Sequence, residues 1–264
     1  MKSQKTLFIP IEEQSSDIFN EAPNYDLLTY SDILFNSKGF YGCVAVGLNL
    51  HTFYYNDTII ADHLMKTYQY EPWVVSLIQS VQPVGFLLTT HFASRIIKRF
   101  NPQLIVILAQ GFQALAAFLV GPSQFFGIPE KIYIMTIGLL LTGIASPYNL
   151  ITPFSILSQT VESKKNKNYN SEQVQDIISG LFNSFYAIGG ISGPIFGGYV
   201  FQLTNFRTTS DIQALILIFI GLTQLLIVYL PEKLLINGTK NNQEKIAEAK
   251  IENIQTEQGL QDVH

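Results

Sequence analysis

Hydrophobic positions along this chain gather into six long blocks with almost no charge, separated by short polar segments. The blocks cover 39–60, 73–93, 103–121, 132–152, 177–201 and 213–230. Runs of about 20 apolar residues exceed the length of strands and lack the polar stripe of a surface helix, so each predicts a bilayer-crossing α-helix. Pro72, Pro102, Pro122, Pro129, Pro153 and Pro231 fall at or just beyond the block ends, where proline punctuates a helix without breaking it. The expected fold class is therefore all-α and polytopic. A polar, acidic arm (1–38) precedes the six-helix domain (39–231), and a largely disordered tail (232–264) follows it.

The basic residues supply an orientation. Lys2, Lys5 and Lys38 precede the first block; Arg95, Lys98 and Arg99 link the second to the third; Lys164, Lys165 and Lys167 link the fourth to the fifth; Lys233, Lys240, Lys245 and Lys250 follow the sixth. With six crossings, thirteen of the sixteen Lys and Arg residues lie on one side, and only Lys66, Lys131 and Arg207 on the other. The positive-inside rule then places both termini in the cytoplasm.

Composition narrows the class further. The chain has 264 residues, 47% hydrophobic and 14% charged, too apolar for an ordinary soluble domain. A net charge of −4 with no basic stripe argues against nucleic acid as a partner. The single Cys43 cannot form a disulfide within one chain, and no metal site or cofactor is expected. The opening MKSQKTLFIPIEEQ lacks the apolar core of a cleaved signal peptide. Two glycosylation sequons, at Asn56 and Asn237, abut the membrane and face the cytoplasm respectively, so neither is expected to be used.

The fifth block holds the most specific motif. Its uncharged stretch 180–198, GLFNSFYAIGGISGPIFGG, contains Gly189, Gly193, Pro194, Gly197 and Gly198 in the order GxxxGPxxGG. Interior glycine costs a soluble helix about 1 kcal/mol and proline about 3, so these residues must serve another purpose. In lipid, small residues four apart let two backbones approach closely, and a proline loosens one turn.

This motif, six blocks with inside termini, a short basic loop after the second and a longer loop after the fourth together resemble one half of a major facilitator superfamily transporter. More narrowly, GLFNSFYAIGGISGPIFGGYV resembles the eleventh helix of the vesicular amine transporter and drug/proton antiporter branch. The resemblance implies a C-terminal six-helix half made of two inverted three-helix repeats, with 1–38 similar to that family's central loop. The implied function is transport of a small organic solute, possible proton coupling included, across the plasma or a vesicle membrane. A missing N-terminal half or a homodimer partner would complete it, and the chain is expected to be a fragment or half-transporter. Departures accompany the match. Ser94 stands where the family's loop motif has an aspartate, while Arg95, Lys98 and Arg99 keep the basic charge. Asn183 and Tyr148 occupy positions at which vesicular amine transporters carry acids.

Polar side chains inside spans are costly and mark function by default. His51, near the middle of the first block, is the leading proton-handling candidate, with Asn49 beside it and Asp57 further toward the outer face. Gln79 and Gln82 share one face of the second block beside Pro83, and Gln110 and Gln113 repeat that spacing on the third. Tyr148 and Asn149 follow Pro147 in the fourth, and Asn183 and Tyr186 share a face of the fifth. Asn49, His51, Tyr148, Asn149, Asn183 and Tyr186 are the expected cavity lining. For each, hydrogen bonding between packed helices is the competing role.

Two other classes compete with transport. A six-helix half alone offers no alternating access, so a non-transporting scaffold is the main rival. The sequence Gly190-Ile191-Ser192-Gly193 also fits the GxSG of intramembrane serine proteases. That chemistry calls for a histidine on a later span, and the only later one is His264.

Overall fold

The computed structural model describes residues 25–163 and 169–235. A short helix α1 (Tyr30–Leu34) leads into α2 (Ser37–Thr67), α3 (Pro72–Gln79), α4 (Val81–Ile97), α5 (Pro102–Val120), α6 (Ile132–Glu162), α7 (Ser171–Leu203) and α8 (Phe206–Gln224). A π-helical turn, Leu225–Tyr229, extends α8, and helical backbone continues to Leu235. The described residues contain no strand. The fold is that of an all-α, polytopic membrane protein.

Local sequence sets the helix starts. Asn36, Asn101, Asn170 and Asn205 sit in extended backbone, and each side-chain oxygen accepts an otherwise unpaired N–H of the first turn, from Lys38, Gln103, Glu172 and Thr208. Pro72 and Pro102 occupy first-turn positions, as their missing N–H allows.

Several boundaries differ from the hydropathy blocks. The second block is two helices broken at Ser80, because Pro83 cannot donate to the Gln79 carbonyl. Pro153 lies inside α6, which runs to Glu162, and Pro147 lies inside it too. Pro231 also falls within helical backbone, just after the π turn, whose wider hydrogen-bond spacing absorbs the lost donor. The arm is not solvated throughout. Leu28 and Ile33 are buried with Cys43, Leu157, Val161, Ile177, Ile178 and Leu181, so α1 is docked under α2, α6 and α7. Residues 1–24, 164–168 and 236–264, including Lys164, Lys165, Lys167 and nearly all of the tail, lie outside the described residues.

Among the described residues, four helical stretches are long and apolar enough to cross a bilayer: Pro72–Ile97, Pro102–Val120, Ile132–Glu162 and Phe206–Leu235. Helices α2 and α7 match them in length, at 31 and 33 residues, but not in apolarity. Their means are lowered by Asn49, His51, Asn56, Asp57, Asp62 and His63 on α2, and by the polar first turns, Asn183 and the glycines on α7.

Helix ends meet in a consistent way. Lys38 pairs with Glu232 at 2.7 Å, joining the start of α2 to the end of the α8 extension. At the opposite end His63 Nε2 lies 2.9 Å from Glu130 Oε1, and Arg207 donates to the carbonyls of Pro122 and Ile128, the latter at 2.7 Å. Lys38, Arg95, Lys98, Arg99 and Lys233 thus lie at one end of the bundle, and Lys66, Lys131 and Arg207 at the other. Between the two ends, α2 packs most closely on α7, and α6 on α5 and α4.

Candidate functional site

The glycine motif fixes the α2–α7 crossing. A Cβ at Gly189 would stand 2.1 Å from the Gly47 carbonyl oxygen, and one at Gly193 2.4 Å from that of His51. Gly197 rests against Tyr55 and Ile59, whereas Gly198 has nothing within 4 Å and is not part of the contact. The backbones therefore touch over Gly47–Gly189 and His51–Gly193. A second crossing of this kind joins α4 and α6: a Cβ at Gly143 would stand 2.1 Å from the Gln82 carbonyl oxygen, and one at Gly85 2.7 Å from that of Leu140.

Close approach of α2 and α7 produces the first polar cluster. His51 Nδ1 lies 2.9 Å from Ser192 Oγ, and His51 Nε2 lies 3.2 Å from Gln213 Oε1 on α8. Gln213 Nε2 donates to Thr52 Oγ1 at 3.0 Å, and Thr52 donates to the Leu48 carbonyl at 2.8 Å. Phe196 and Tyr55 flank the imidazole, with ring centroids at 5.3 and 6.3 Å. A cavity of about 220 Å³ opens beside His51 and Ser192, walled by Leu48, Phe185 and Ile188.

The second cluster lies on the other side of α2. Gln113 Nε2 donates to Asn49 Oδ1 at 2.8 Å and, at 3.4 Å, to Ser146 Oγ; Gln113 Oε1 accepts from Asn149 Nδ2 at 2.9 Å. All four residues are buried. Asn49 and Ser146 also line a cavity of about 180 Å³ whose remaining wall includes Phe53, Tyr54, Phe86 and Tyr186. This cavity draws on α2, α4, α6 and α7 at once. Its chemistry is that of an amide and a hydroxyl set among aromatic rings, suited to orienting a small organic solute.

The expected lining is therefore divided. Asn49 and Tyr186 share the 180 Å³ cavity, and Asn149 supports it through Gln113. His51 turns away from it, toward α7 and α8. Tyr148 lines a separate apolar groove of about 390 Å³ with Phe100, Leu108 and Phe112. Asn183 is exposed on the Tyr186 face of α7, outside the lining of that cavity. Asp57 is half-buried, and its backbone carbonyl accepts from Gln79 Nε2 at 2.7 Å, a tie between α2 and α3. Gln82 is enclosed at the α4–α6 crossing, with no hydrogen-bond partner among the described residues for either amide atom. Gln110 and Gln113 face different neighbours: Gln110 lies against Gly221 on α8. Arg95, Lys98 and Arg99 are exposed where α4 ends.

Ser192 and Gln213 escaped the sequence reading as partners of His51. Gln213 stands first in its hydropathy block, yet α8 begins at Phe206, which carries Gln213 two turns deeper. The Asn205 cap was the available signal. For Ser192 the protease pattern calls for a later histidine, and the structure supplies the earlier His51 instead.

These features define a polytopic helical membrane protein with a polar interior, and residues 42–259 match the family model of the Major Facilitator Superfamily. The chain belongs to that superfamily, a family of secondary transporters. Among curated proteins it is similar to the MFS-type transporter SLC18B1 of Homo sapiens, at 27% identity over 105 residues, covering 39% of this chain and 22% of that protein. The proteins of the same name from Mus musculus and Rattus norvegicus are 25% and 24% identical over 97 residues, or 37% of this chain and 21% of theirs. The matched stretch thus spans about a fifth of the length of these relatives.

Proposed function

We propose that this chain forms one six-crossing half of a facilitator-type secondary transporter for a small organic solute, with the Asn49–Ser146–Tyr186 cavity as the solute-facing surface. The observation that carries the reading is this cavity, where four helices converge and a buried amide network holds the polar groups in place. Two inverted triplets, α2 to α5 and α6 to α8, are supported by the matched glycine crossings: α2 meets α7 as α6 meets α4, the first helix of each triplet on the second of the other. The end bearing Lys38, Arg95, Lys98, Arg99 and Lys233 is assigned to the cytoplasm by the positive-inside rule. Alternating access requires a second six-helix unit, on a longer chain, a separate chain or a second copy. His51 is the proposed proton-coupling group, and transport needs no prosthetic group.

Hydrolysis is the second reading, because Ser192 touches His51. Ser192 lies inside the continuous helix Ser171–Leu203, so the backbone N–H groups around it are engaged within the helix and none is left for an oxyanion. The arrangement therefore favours a structural or proton-handling contact over acyl transfer.

The test is uptake into proteoliposomes containing the full chain, alone and together with a complementary six-helix half, across amines, sugars and organic anions at two pH values. Tyr186→Ala should raise KM for the accepted solute severalfold while Tyr148→Ala leaves it unchanged. Equal effects of the two would remove the assigned cavity, and no uptake in any arm would favour the scaffold reading.

A further inference from the structure

We infer that Gln213 and Ser192 are positioning residues that make His51 a proton site with one defined acceptor atom, Nδ1, and that the Ser192 hydroxyl turns over when that proton arrives. The inference deepens the proposed coupling role of His51 and rests on it. The hydrogen-bond directions follow from the one group whose donor is fixed. Thr52 Oγ1 donates to the Leu48 carbonyl at 2.8 Å, which leaves it only an acceptor toward Gln213. Gln213 must then present its NH2 to Thr52, at 3.0 Å, and its oxygen to His51 Nε2, at 3.2 Å. An oxygen facing Nε2 requires that nitrogen to carry hydrogen, so neutral His51 is the Nε2–H tautomer and its lone pair is on Nδ1.

Nδ1 faces Ser192 Oγ at 2.9 Å, and Ser192 has a second acceptor, the Gly189 carbonyl at 3.2 Å. With His51 neutral, the Ser192 hydroxyl donates to Nδ1. When a proton binds Nδ1, the new N–H donates to Ser192 Oγ and the serine hydrogen rotates to the Gly189 carbonyl. No heavy atom moves, no bond other than N–H forms, and every polar atom keeps a partner in both states. The imidazole gains one positive charge, on the seam where α2 and α7 have their closest backbone contact at Gly189 and Gly193.

The ionisable groups around this seam are few. On α2 they are Tyr54, whose ring meets Gly190, Tyr55, whose ring lies 6.3 Å from the imidazole, and Asp57; on α8 they are Asp211 and Arg207, the latter engaged with the Pro122 and Ile128 carbonyls. Between Asp176 and Leu203, α7 carries only Tyr186 and Tyr199.

The experiment is 15N-histidine NMR of the full chain in lipid nanodiscs, with His51 assigned by its loss in His51→Gln, alongside the pH profile of uptake. The expected result is a neutral His51 with hydrogen on Nε2, loss of that preference in Gln213→Leu, and protonation appearing at Nδ1. Ser192→Ala removes the acceptor for the new N–H and should move the uptake midpoint toward lower pH by about one unit, tenfold in proton concentration, with Ser192→Thr restoring it. Hydrogen on Nδ1 of neutral wild-type His51 overturns the inference, as does an unmoved pH profile in Ser192→Ala where His51→Gln moves it. If the tautomer is as expected and His51→Gln leaves the pH profile unchanged, the coupling role fails and the hydrogen-bond relay stands. The wild-type tautomer and Ser192→Thr provide the decision should Ser192→Ala not fold.

Discussion

Replacing Gly189 with alanine tests whether the α2–α7 contact sets the geometry of the His51 cluster. The added Cβ would stand 2.1 Å from the Gly47 carbonyl oxygen, 2.8 Å from the carbonyl carbon and 3.0 Å from Cα. All three are backbone atoms, so no rotamer change relieves the overlap, and the helices must part by roughly 1 Å or more to restore ordinary contact distances. Ser192 and His51 are 2.9 Å apart across the same seam, and such a shift carries them past about 3.5 Å, where the bond is lost. Overpacking of this kind costs about 1–3 kcal/mol. Against it stands the gain of about 1 kcal/mol that alanine brings to a helix interior. Gly198→Ala isolates that gain, since it makes the same change on the same helix with nothing within 4 Å. The difference between the two variants should therefore equal the overpacking cost, about 2–12 °C in melting temperature for a domain of this size. Cys43, the single cysteine, is 0% exposed, so thiol labelling during a thermal ramp reports unfolding directly. A Gly189→Ala protein that melts with or above Gly198→Ala would refute the assigned crossing.

Two further substitutions separate satisfied from unsatisfied amides by the same thermal assay. Gln113→Leu strands Asn49 Oδ1 and Asn149 Nδ2, both buried, and should destabilise by about 1–3 kcal/mol; a melting temperature within error of wild type would show that the network contributes nothing. Gln82→Leu removes an enclosed amide with no hydrogen-bond partner among the described residues, so stability should be unchanged or rise by about 1 kcal/mol, and a marked loss would reveal a buried water or an unrecognised partner.

Hydropathy was enough to locate every long helix, because each must shield its own backbone and expose mainly apolar side chains. It failed where a second factor set the boundary. Pro153 and Pro231 read as terminators, yet neighbouring helices and a π turn let the chain continue through both. Gly189 and Gly193 were legible as a contact because the i, i+4 spacing of small residues leaves few other uses, while Gly198 belonged to the same string and faces open space. The site was half legible. Asn49 and Tyr186 line one cavity, but rotation about each helix axis decides which neighbour a side chain meets, and a charge-free block leaves that angle open. His51 and Asn49 are two residues apart and point to opposite sides of α2, His51 to Ser192 and Gln213, Asn49 to Gln113.

Helix α2 contributes to both polar clusters, and its burial explains how it tolerates them. Helix α2 is enclosed by α5, α6, α7 and α8, so Asn49, His51 and Thr52 bond to other helices instead of meeting lipid. Helix α4 has the opposite surroundings: Val84, Leu87, Leu88 and Phe92 are exposed, and an apolar sequence is what that exposure requires. Helix α7 divides its surface. Ile188, Ile195 and Tyr199 form an exposed apolar stripe, while Gly189, Gly193 and Gly197 face α2. Asn183, Tyr186 and Gly190 recur at helical spacing on the side roughly opposite the apolar stripe, where Tyr186 enters the Asn49 cavity and Gly190 meets Tyr54. An exposed asparagine in mid-span is costly against lipid and inexpensive against water or a partner helix. On the proposed transporter reading, that side of α7, continuous with the cavity, is the one expected to face the solute.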